Sequence, residues 1–353
     1  MNSMIKDWTN CIYDAAETGR KFSICGGGSK SFYGGEAQGD MLDVSAYSGI
    51  VAYEPTELVV TVRAGTTLLE LEATLAEKGQ WLAFEPPHFA TTATVGGMLA
   101  TGLSGPRRQS AGALRDFVLG VKILSGKGEL LSFGGQVMKN VAGYDVPRLM
   151  AGSLGTLGVI LEVSLKVLPL PVAEHSLRFA MSESEALGKL NLWGGKPLPI
   201  SACAWSDNVL AIRLSGAAAA VTAAEKTLGG EVLADAAGFW KSQREQTHGF
   251  FAGDAPLWRV GVPSVTPPLG LGATLIEWGG SQRWLRGGDP AAIRAAAEKA
   301  GGHATLFRGD PVLKAAAGVF QPLSPPLARI HRNLKTAFDP HGVLNPGRMY
   351  PDF

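Results

Sequence analysis

The chain has few of the features that mark secreted, membrane-spanning or nucleic-acid-binding proteins. Its 353 residues include three cysteines, Cys11, Cys25 and Cys203, too few and too scattered for a disulfide framework or a four-cysteine zinc or iron–sulfur site. No uninterrupted apolar run reaches the roughly 18 residues of a membrane span. The formal net charge is only +1, with both signs spread along the chain, which argues against a nucleic-acid surface.

The N-terminus, MNSMIKDWTN, lacks the apolar core of a secretory signal, so we expect a cytoplasmic protein. What the chain does have is apolar content: 46% of its residues are hydrophobic, enough for about two domains with real cores. No long Ser/Gly-rich or Pro-rich linker separates the two. The domains are therefore expected to share an extensive interface, and a cleft between them is the natural place for an active site.

Glycine is concentrated in three segments before residue 160. Residues 25–30 read CGGGSK, residues 91–105 read TTATVGGMLATGLSG, and residues 152–158 read GSLGTLG. Glycine tolerates positive φ and lets the backbone approach a ligand closely. Three such segments indicate one long ligand.

The standard nucleotide-binding fingerprints do not fit these segments. A Walker A motif would need glycine at Ser29, before Lys30, and at Ile24, and no G-x-G-x-x-G opens a helix after a strand. What remains at the first segment is a loop after a short predicted strand, residues 22–25. Its successive N–H groups could form a concave nest for a pyrophosphate, with a plain turn as the alternative.

Other elements follow from periodicity and from helix-capping or turn residues. The predicted helices span 67–78, where Thr67 and Glu70 have capping-box spacing, and 216–228, 290–300 and 325–337. The last helix carries Ile330, Leu334 and Phe338 at four-residue spacing. The predicted strands span 58–62, 118–124, 129–133, 159–167, 209–214 and 257–262.

The order of these motifs resembles the FAD-binding domain of the vanillyl-alcohol oxidase and p-cresol methylhydroxylase (PCMH) family. The likeness rests on GGGSK at 26–30, TVGGMLATGLSG at 94–105, ALRDFVLGVKILSGKGELLSFGG at 113–135, KNVAGYDVPRLMAGSLGTLGVI at 139–160 and LNPGRMY at 344–350. Two further likenesses, REQTHGFF at 244–251 and FDPHGVLNPGRMY at 338–350, make the chain most similar to the FAD-binding E-subunit branch of bacterial glycolate oxidases (glycolate dehydrogenases).

The resemblance implies an α+β fold in three parts. These are a PCMH-type two-subdomain FAD-binding domain over 1–171, a smaller α+β cap-like domain with an antiparallel sheet over 172–324, and a C-terminal helix and tail over 325–353 that return to the FAD domain. Non-covalent FAD is implied, because Ser29 and Lys30 stand where flavin-linked members have a histidine, and residues 91–97 hold no cysteine.

The resemblance also implies which residues contact the cofactor. It places Asn140, Tyr144 and Asp145 in a loop beside FAD, although an aromatic–acidic pair before a helix is equally a capping and packing feature. The cofactor-binding residues expected on this basis are Gly26, Gly27, Gly28, Ser29, Lys30, Pro87, Thr94, Gly96, Gly97, Thr101, Gly102, Gly105, Tyr144, Asp145, Gly152, Gly155, Thr156, Gly158, Val159 and Ile160.

If flavin is bound, oxidation of a 2-hydroxy acid also needs a cation for the carboxylate and a base for the hydroxyl proton. The candidate bases are His88, just before the second glycine segment, and His248. The candidate cation is Arg259, chosen from the cap-like region's Arg244, Arg259, Arg283 and Arg286, each of which has a surface or salt-bridge role as its alternative. Arg107 and Arg108 could neutralise phosphate charge, but in a glycine–proline turn they are interpreted as exposed surface residues.

No metal is expected, because the His-x-Gly-Asp-Gly-Asn-x-His segment of related hydroxy-acid dehydrogenases has no counterpart here. The favoured function is therefore an FAD subunit of a multi-subunit glycolate or 2-hydroxy-acid dehydrogenase. In this hypothesis a sister FAD subunit holds the substrate site, and electrons pass through an iron–sulfur subunit to quinone. The chain would then work at the inner face of the membrane if its partners bring it there. The alternatives are a self-sufficient FAD-dependent 2-hydroxy-acid oxidoreductase and a scaffold whose flavin never turns over.

Overall fold

The computed structural model describes residues 3–135 and 144–353, so Asn140 lies outside the described residues. Strands and short helices alternate through the first half of the chain. Its helices are α1 (Ser3–Thr18), α2 (Leu68–Ala76), α3 (Val95–Thr101), α4 (Arg108–Ala111) and α5 (Val146–Met150). Its strands are β1 (Phe22–Cys25), β2 (Asp40–Asp43), β3 (Ile50–Glu54), β4 (Val59–Arg63), β5 (Gln80–Trp81), β6 (Val118–Leu124), β7 (Leu130–Gly134), β8 (Val159–Lys166) and β9 (Leu168–Pro169).

Strand β8 is the centre of a five-stranded antiparallel sheet with the order β3-β4-β8-β6-β7. Both faces of this strand are covered. Val163 and Leu165 pack into a core shared with α2 and α3, whereas Val159 and Leu161 pack against α1. Burial on both faces explains why the sequence here is an almost continuous apolar run. The sheet thereby holds the third glycine segment, which immediately precedes β8, close to α3.

Strands β1 and β2 form a separate parallel pair. The C-terminal tail lies beside β1, because Phe22 donates its N–H to Val343 O at 2.7 Å and Asn345 donates its N–H to Phe22 O at 2.8 Å. These two bonds place Asn345 alongside the start of β1, three residues before the first glycine segment.

The second half of the chain is built on a larger sheet. Its helices are α6 (Glu183–Gly194), α7 (Ala218–Leu228), α8 (Ala236–Glu245), α9 (Pro290–Lys299), α10 (Pro311–Ala317) and α11 (Pro325–Phe338). Its strands are β10 (Ala173–Ala180), β11 (Ile200–Ser206), β12 (Val209–Gly216), β13 (Glu231–Val232), β14 (Leu257–Gly261), β15 (Thr274–Glu277), β16 (Gln282–Arg286) and β17 (His303–Arg308). The sheet order is β13-β10-β12-β11-β15-β16-β14-β17, with every pair antiparallel. The predicted α+β class is confirmed.

Most predicted elements agree with the structure to within two or three residues. The hydroxyl of Thr67 accepts the N–H of Glu70 at 3.1 Å and so caps α2 as expected. The main error lies on α11, where the side chain of Ile330 is 52% exposed instead of packed. The contact face of this helix is rotated relative to the predicted one, because His331, next to Ile330, lies against the rings of Tyr350 and Phe353. Only the last turn of α11 reaches the core of the first half.

Two buried ionic clusters connect distant parts of the chain. At the end of α11, Lys335 Nζ contacts Asp339 at 2.7 Å and donates to Thr156 O and Leu344 O at 2.9 and 2.7 Å. Between the two sheets, Glu85 binds Arg213 through both carboxylate oxygens at 2.9 Å, and Arg107 contacts Glu174. Arg107 is only 7% exposed, so its interpretation as an exposed turn residue is wrong.

Candidate functional site

The three glycine segments converge on one cavity. The first segment follows β1, the second contains α3, and the third precedes β8. The C-terminal tail closes one side. The lining residues are Ser23–Ser31, Ala37, Val44, Thr94, Gly96, Gly97, Ala100, Thr101, Leu154, Gly155, Gly158, Ile160, Asn345 and Arg348.

The first segment offers backbone N–H groups to this cavity. Gly28 has φ +70°, a conformation that glycine adopts without strain. Within the described part of the chain, no hydrogen bond engages the N–H groups of Gly27, Gly28 or Ser29. Successive unengaged N–H groups in a curved loop suit the oxygens of a phosphate or pyrophosphate. The loop therefore fits the phosphate part of a dinucleotide.

Two glycines allow the first and second segments to touch. A Cβ on Gly27 would stand 1.5 Å from Thr92 O, and one on Gly26 would stand 2.6 Å from Thr94 Oγ1. The hydroxyl of Thr92 also donates to Gly27 O at 2.6 Å. Gly26 and Gly27 are thus required for packing between the segments, whereas no atom lies within 4 Å of the Cβ position of Gly28.

Asn345 joins the third segment to β1. Its side chain accepts the N–H of Ile24 at 2.7 Å and donates to Leu154 O at 2.6 Å, and a Cβ on Gly155 would stand 2.6 Å from Asn345 Nδ2. Arg348 donates to the carbonyls of the loop after the first segment, and its burial lowers its pKa. Neither residue is among the expected site residues, although both lie in the motif LNPGRMY.

Of the cofactor residues expected from the resemblance, twelve line this cavity: Gly26, Gly27, Gly28, Ser29, Lys30, Thr94, Gly96, Gly97, Thr101, Gly155, Gly158 and Ile160. The others lie elsewhere. Pro87 and Gly105 line a smaller neighbouring cavity, and Gly102 lines a third. Gly152 is beside α3, since a Cβ on Gly102 would meet its backbone at 2.9 Å.

Of the remaining four expected residues, three have local structural contacts and one is exposed. Thr156 is buried and donates its hydroxyl to Ser153 O at 2.7 Å, and Val159 is in the core beneath α1. Asp145 caps α5 by accepting the N–H of Arg148 at 3.2 Å. The side chain of Tyr144 is 97% exposed. The sequence left open whether Tyr144 and Asp145 lie beside FAD or cap a helix, and the structure shows Asp145 as a helix cap.

Lys30 extends from the cavity wall towards the turn that carries His88. Its Nζ donates to His88 O at 3.1 Å, and burial lowers the pKa of Lys30 to about 8, with the charge of Glu245 acting in the opposite direction. The same Glu245 accepts the backbone N–H groups of His88 and Phe89 at 3.0 and 2.8 Å. This contact fixes the turn against α8.

The candidate bases do not line any of these three cavities. His88 is buried, with its Nε2 3.1 Å from Glu72 Oε1. His248 accepts the N–H of Phe250 at 3.3 Å and lies against the ring of Phe239, and burial lowers its pKa. Both are held in structural contacts.

Among the candidate cations, Arg259 has the most open position, because it lines both of the other two cavities. Arg244 contacts Glu245 at 2.7 Å, and Arg286 donates to Phe250 O at 3.3 Å. Arg283 is fully buried and donates to Gly280 O and other carbonyls. Arg108, interpreted from sequence as a surface residue, is half-buried and faces the same cavity as Arg259.

Within residues 3–135 and 144–353, no group of three or more His, Cys, Asp or Glu side chains is arranged to hold a metal ion. In the same part of the chain, no helix combines the length and apolar character needed to cross a membrane.

Comparison with known proteins first identifies the class. Residues 5–134 match a family described as an FAD binding domain. A solved structure of alkyldihydroxyacetonephosphate synthase has the same fold, with a TM-score of 0.65 at 16% identity over 96% of this chain and 73% of that chain. The fold and cavity thus define an FAD-binding protein of PCMH type, and FAD is its cofactor.

The family is shown by sequence. The chain is 50% identical to the glycolate oxidase subunit GlcE of Escherichia coli over 331 residues, 93% of this chain and 92% of that protein. It is therefore a member of the family of this subunit, and an FAD-dependent oxidoreductase. More distant relatives include a D-lactate dehydrogenase of Anaerostipes hadrus, 38% identical over 43% of this chain and 30% of that protein. The glycolate oxidase subunit GlcD of Bacillus subtilis is 32% identical over 36% of this chain and 27% of that protein.

Proposed function

We propose that the chain is the FAD-binding subunit of a multi-subunit glycolate or 2-hydroxy-acid dehydrogenase, which oxidises glycolate to glyoxylate. The observation that carries the proposal is the 50% identity to a glycolate oxidase subunit along nearly the whole of both proteins. A match of that extent includes the eight-stranded sheet as well as the FAD-binding half.

We further propose that FAD lies in the cavity formed by the glycine segments. The N–H groups of Gly27, Gly28 and Ser29 bind its pyrophosphate, and the walls supplied by α3 and the start of β8 enclose the rest. Asn345 and Arg348 position the loops around it. Bound FAD supplies a hydride acceptor, while the chain orients the cofactor and excludes water around it. The expected residues outside the cavity, such as Gly102 and Thr156, pack within these segments and stabilise them without contacting FAD.

Electrons leave through partners in this proposal. Three scattered cysteines cannot supply a four-cysteine cluster, so an iron–sulfur subunit carries the relay to quinone. A sister FAD subunit holds a substrate site, and the assembly acts at the cytoplasmic face of the membrane. The GlcD relative is of interest here because its name describes another subunit of a glycolate oxidase.

An anaerobic absorption spectrum tests the proposal. The chain is purified alone and together with the co-expressed partner subunits, and each preparation is treated with glycolate and then D-lactate. We expect acid precipitation to release FAD from both, and glycolate to bleach the flavin fully in the complex. A complex whose flavin on this chain stays oxidised would contradict the proposal and favour a scaffold role.

Self-sufficient oxidation is the second candidate, and one observation favours it. The cavity beside Arg108 and Arg259 provides cationic groups without any contribution from a partner. In that case glycolate or D-lactate bleaches the flavin of the chain purified alone. His88 or His248 could then act as the base only if substrate binding breaks the contacts they make in this structure, with Glu72 and with Phe250 respectively.

A further inference from the structure

A cavity separate from the glycine-lined one lies between the end of α3, α4 and the eight-stranded sheet. It is lined by Gly102, Ser104, Arg108, Arg259, Gly261, Val262, Pro263, Trp278, Ser281, Gln282, Gly301, Gly302 and His303. Its charged side chains are two arginines from different elements, Arg108 of α4 and Arg259 of β14. No carboxylate is among its lining residues.

Neither guanidinium has an acidic partner in the described part of the chain. Arg108 lies over the ring of Trp278, 4.2 Å from its centroid. Arg259 donates to Tyr33 Oη at 3.1 Å and lies 5.7 Å from the centroids of the Tyr33 and Phe307 rings. Asp116, whose charge acts on Arg108, is itself 3.6 Å from Arg148 and accepts the N–H of Ala113. The aromatic rings hold both cations in place but leave their charge uncompensated.

The two arginines are close enough to affect each other and a third residue. The pKa of Arg108 is lowered first by burial and then by the charge of Arg259. The pKa of His303 is lowered by desolvation and then by the charges of Arg259 and Arg108. Uncompensated charge in a partly desolvated cleft is unfavourable until an anion enters it.

We propose that Arg108 and Arg259 form a binding site for the carboxylate of a small 2-hydroxy or 2-oxo acid. The planar guanidinium forks match a carboxylate, which they can bind through paired hydrogen bonds. The location favours an acid substrate or product, because α3 joins the two cavities: Ala100 and Thr101 line the FAD cavity, and the next residue, Gly102, lines this one. The inference rests on the proposed function and adds a substrate-class site on this chain.

Oxalate, a dianion of two planar carboxylates, is the probe. Titration into the full FAD-loaded chain is followed by tryptophan fluorescence, since Trp278 contacts Arg108, and by calorimetry. We expect saturable binding that weakens about tenfold or more in Arg108→Gln and in Arg259→Gln. The matched control is Arg178→Gln, which removes the same charge from the same sheet at an exposed site where Arg178 pairs with Glu231. The control binds oxalate as the unmodified chain does.

A second readout is the pKa of His303, followed by NMR in the presence and absence of oxalate. Neutralising the two guanidiniums removes the repulsion that disfavours imidazolium, so the pKa of His303 rises on binding. A merely structural role for the arginines would leave this pKa unchanged.

Several results would overturn the inference. These are the absence of oxalate binding, equal binding by both Gln variants and the control, or binding of inorganic phosphate as tight as that of oxalate. FAD content and thermal unfolding of each variant show whether the chain remains folded. If glycolate still reduces the complex while oxalate does not bind this chain, the site inference fails and the proposed function stands. If oxalate binds but glycolate never reduces the flavin, the anion site stands and the proposed function fails.

Discussion

The carboxyl group of Glu277 provides a quantitative test of the structure. It is only 4% exposed, and its Oε2 accepts hydrogen bonds from Trp284 Nε1 and Gln282 Nε2 at 2.6 and 2.8 Å. Burial raises its pKa from 4.5 to about 7, with those two hydrogen bonds acting in the opposite direction. The group therefore keeps its proton in the folded chain at pH values where the unfolded chain has lost it.

This difference sets the sign of the pH dependence. Between pH 4.5 and about pH 7 the folded state binds more protons than the unfolded state at Glu277, so the free energy of unfolding falls as the pH rises. A shift of that size corresponds to about 3 kcal/mol, reached above pH 7. Glu277→Gln keeps the shape of the side chain and an acceptor for Trp284 but cannot ionise.

We therefore expect Glu277→Gln to stabilise the chain at pH 8 relative to the unmodified protein, by up to about 3 kcal/mol, and to have little effect at pH 5. Urea unfolding of both proteins at several pH values between 5 and 8 measures the difference. The exposed Glu231→Gln is the matched control and should show no such trend. A constant difference across the pH range, or a loss of stability at pH 8, would refute the buried, protonated carboxyl.

Three further predictions concern the FAD cavity and its supports. Ala100→Phe projects a ring into the cavity and should strongly lower FAD content, whereas Ala73→Phe on the exposed face of α2 should not; equal FAD in both would exclude this cavity. Asn345→Ala leaves Ile24 N and Leu154 O without their partner. It should lower the free energy of unfolding in urea by about 1–3 kcal/mol and also lower the FAD content. Unchanged stability would contradict the contact. Lys335→Met leaves Asp339 buried and unpaired and should cost about 3–5 kcal/mol, most of it regained if Asp339→Asn is added; a single variant as stable as the parent would argue against the pair.

The sequence predicted the parts of the site that depend on local pattern. The glycines of the first segment could be singled out because three in succession after a strand predict either a phosphate nest or a plain turn, and in the structure they line the cavity. The structure also shows a reason for glycine at position 27 that the sequence could not: Gly27 faces the carbonyl of Thr92, 65 residues away in the chain, where a Cβ has no room. Valine at Gly27 would therefore disturb the packing of two loops, and FAD loss in that variant would not by itself locate the pyrophosphate.

What the sequence could not predict depends on long-range contacts. Asn345 meets Ile24 across 321 positions, and nothing in either neighbourhood signals the pairing. Arg107 and Arg108 are consecutive in a glycine–proline turn, yet one joins the buried cluster with Glu85 and the other faces a cavity. A charged pair in a turn has the same local signature in either environment, and only the arrangement of the two sheets separates the roles.

The central claim is that FAD is bound non-covalently by the three glycine segments and is reduced by a 2-hydroxy acid within the assembled enzyme. The most direct measurement combines the anaerobic spectrum of the complex during glycolate addition with the FAD released by acid from this chain, for the unmodified protein and for Ala100→Phe. We predict stoichiometric released FAD and complete bleaching for the unmodified protein, and loss of this chain's FAD in the variant. Retention of FAD by Ala100→Phe, or flavin on this chain that glycolate never reduces, would contradict the claim.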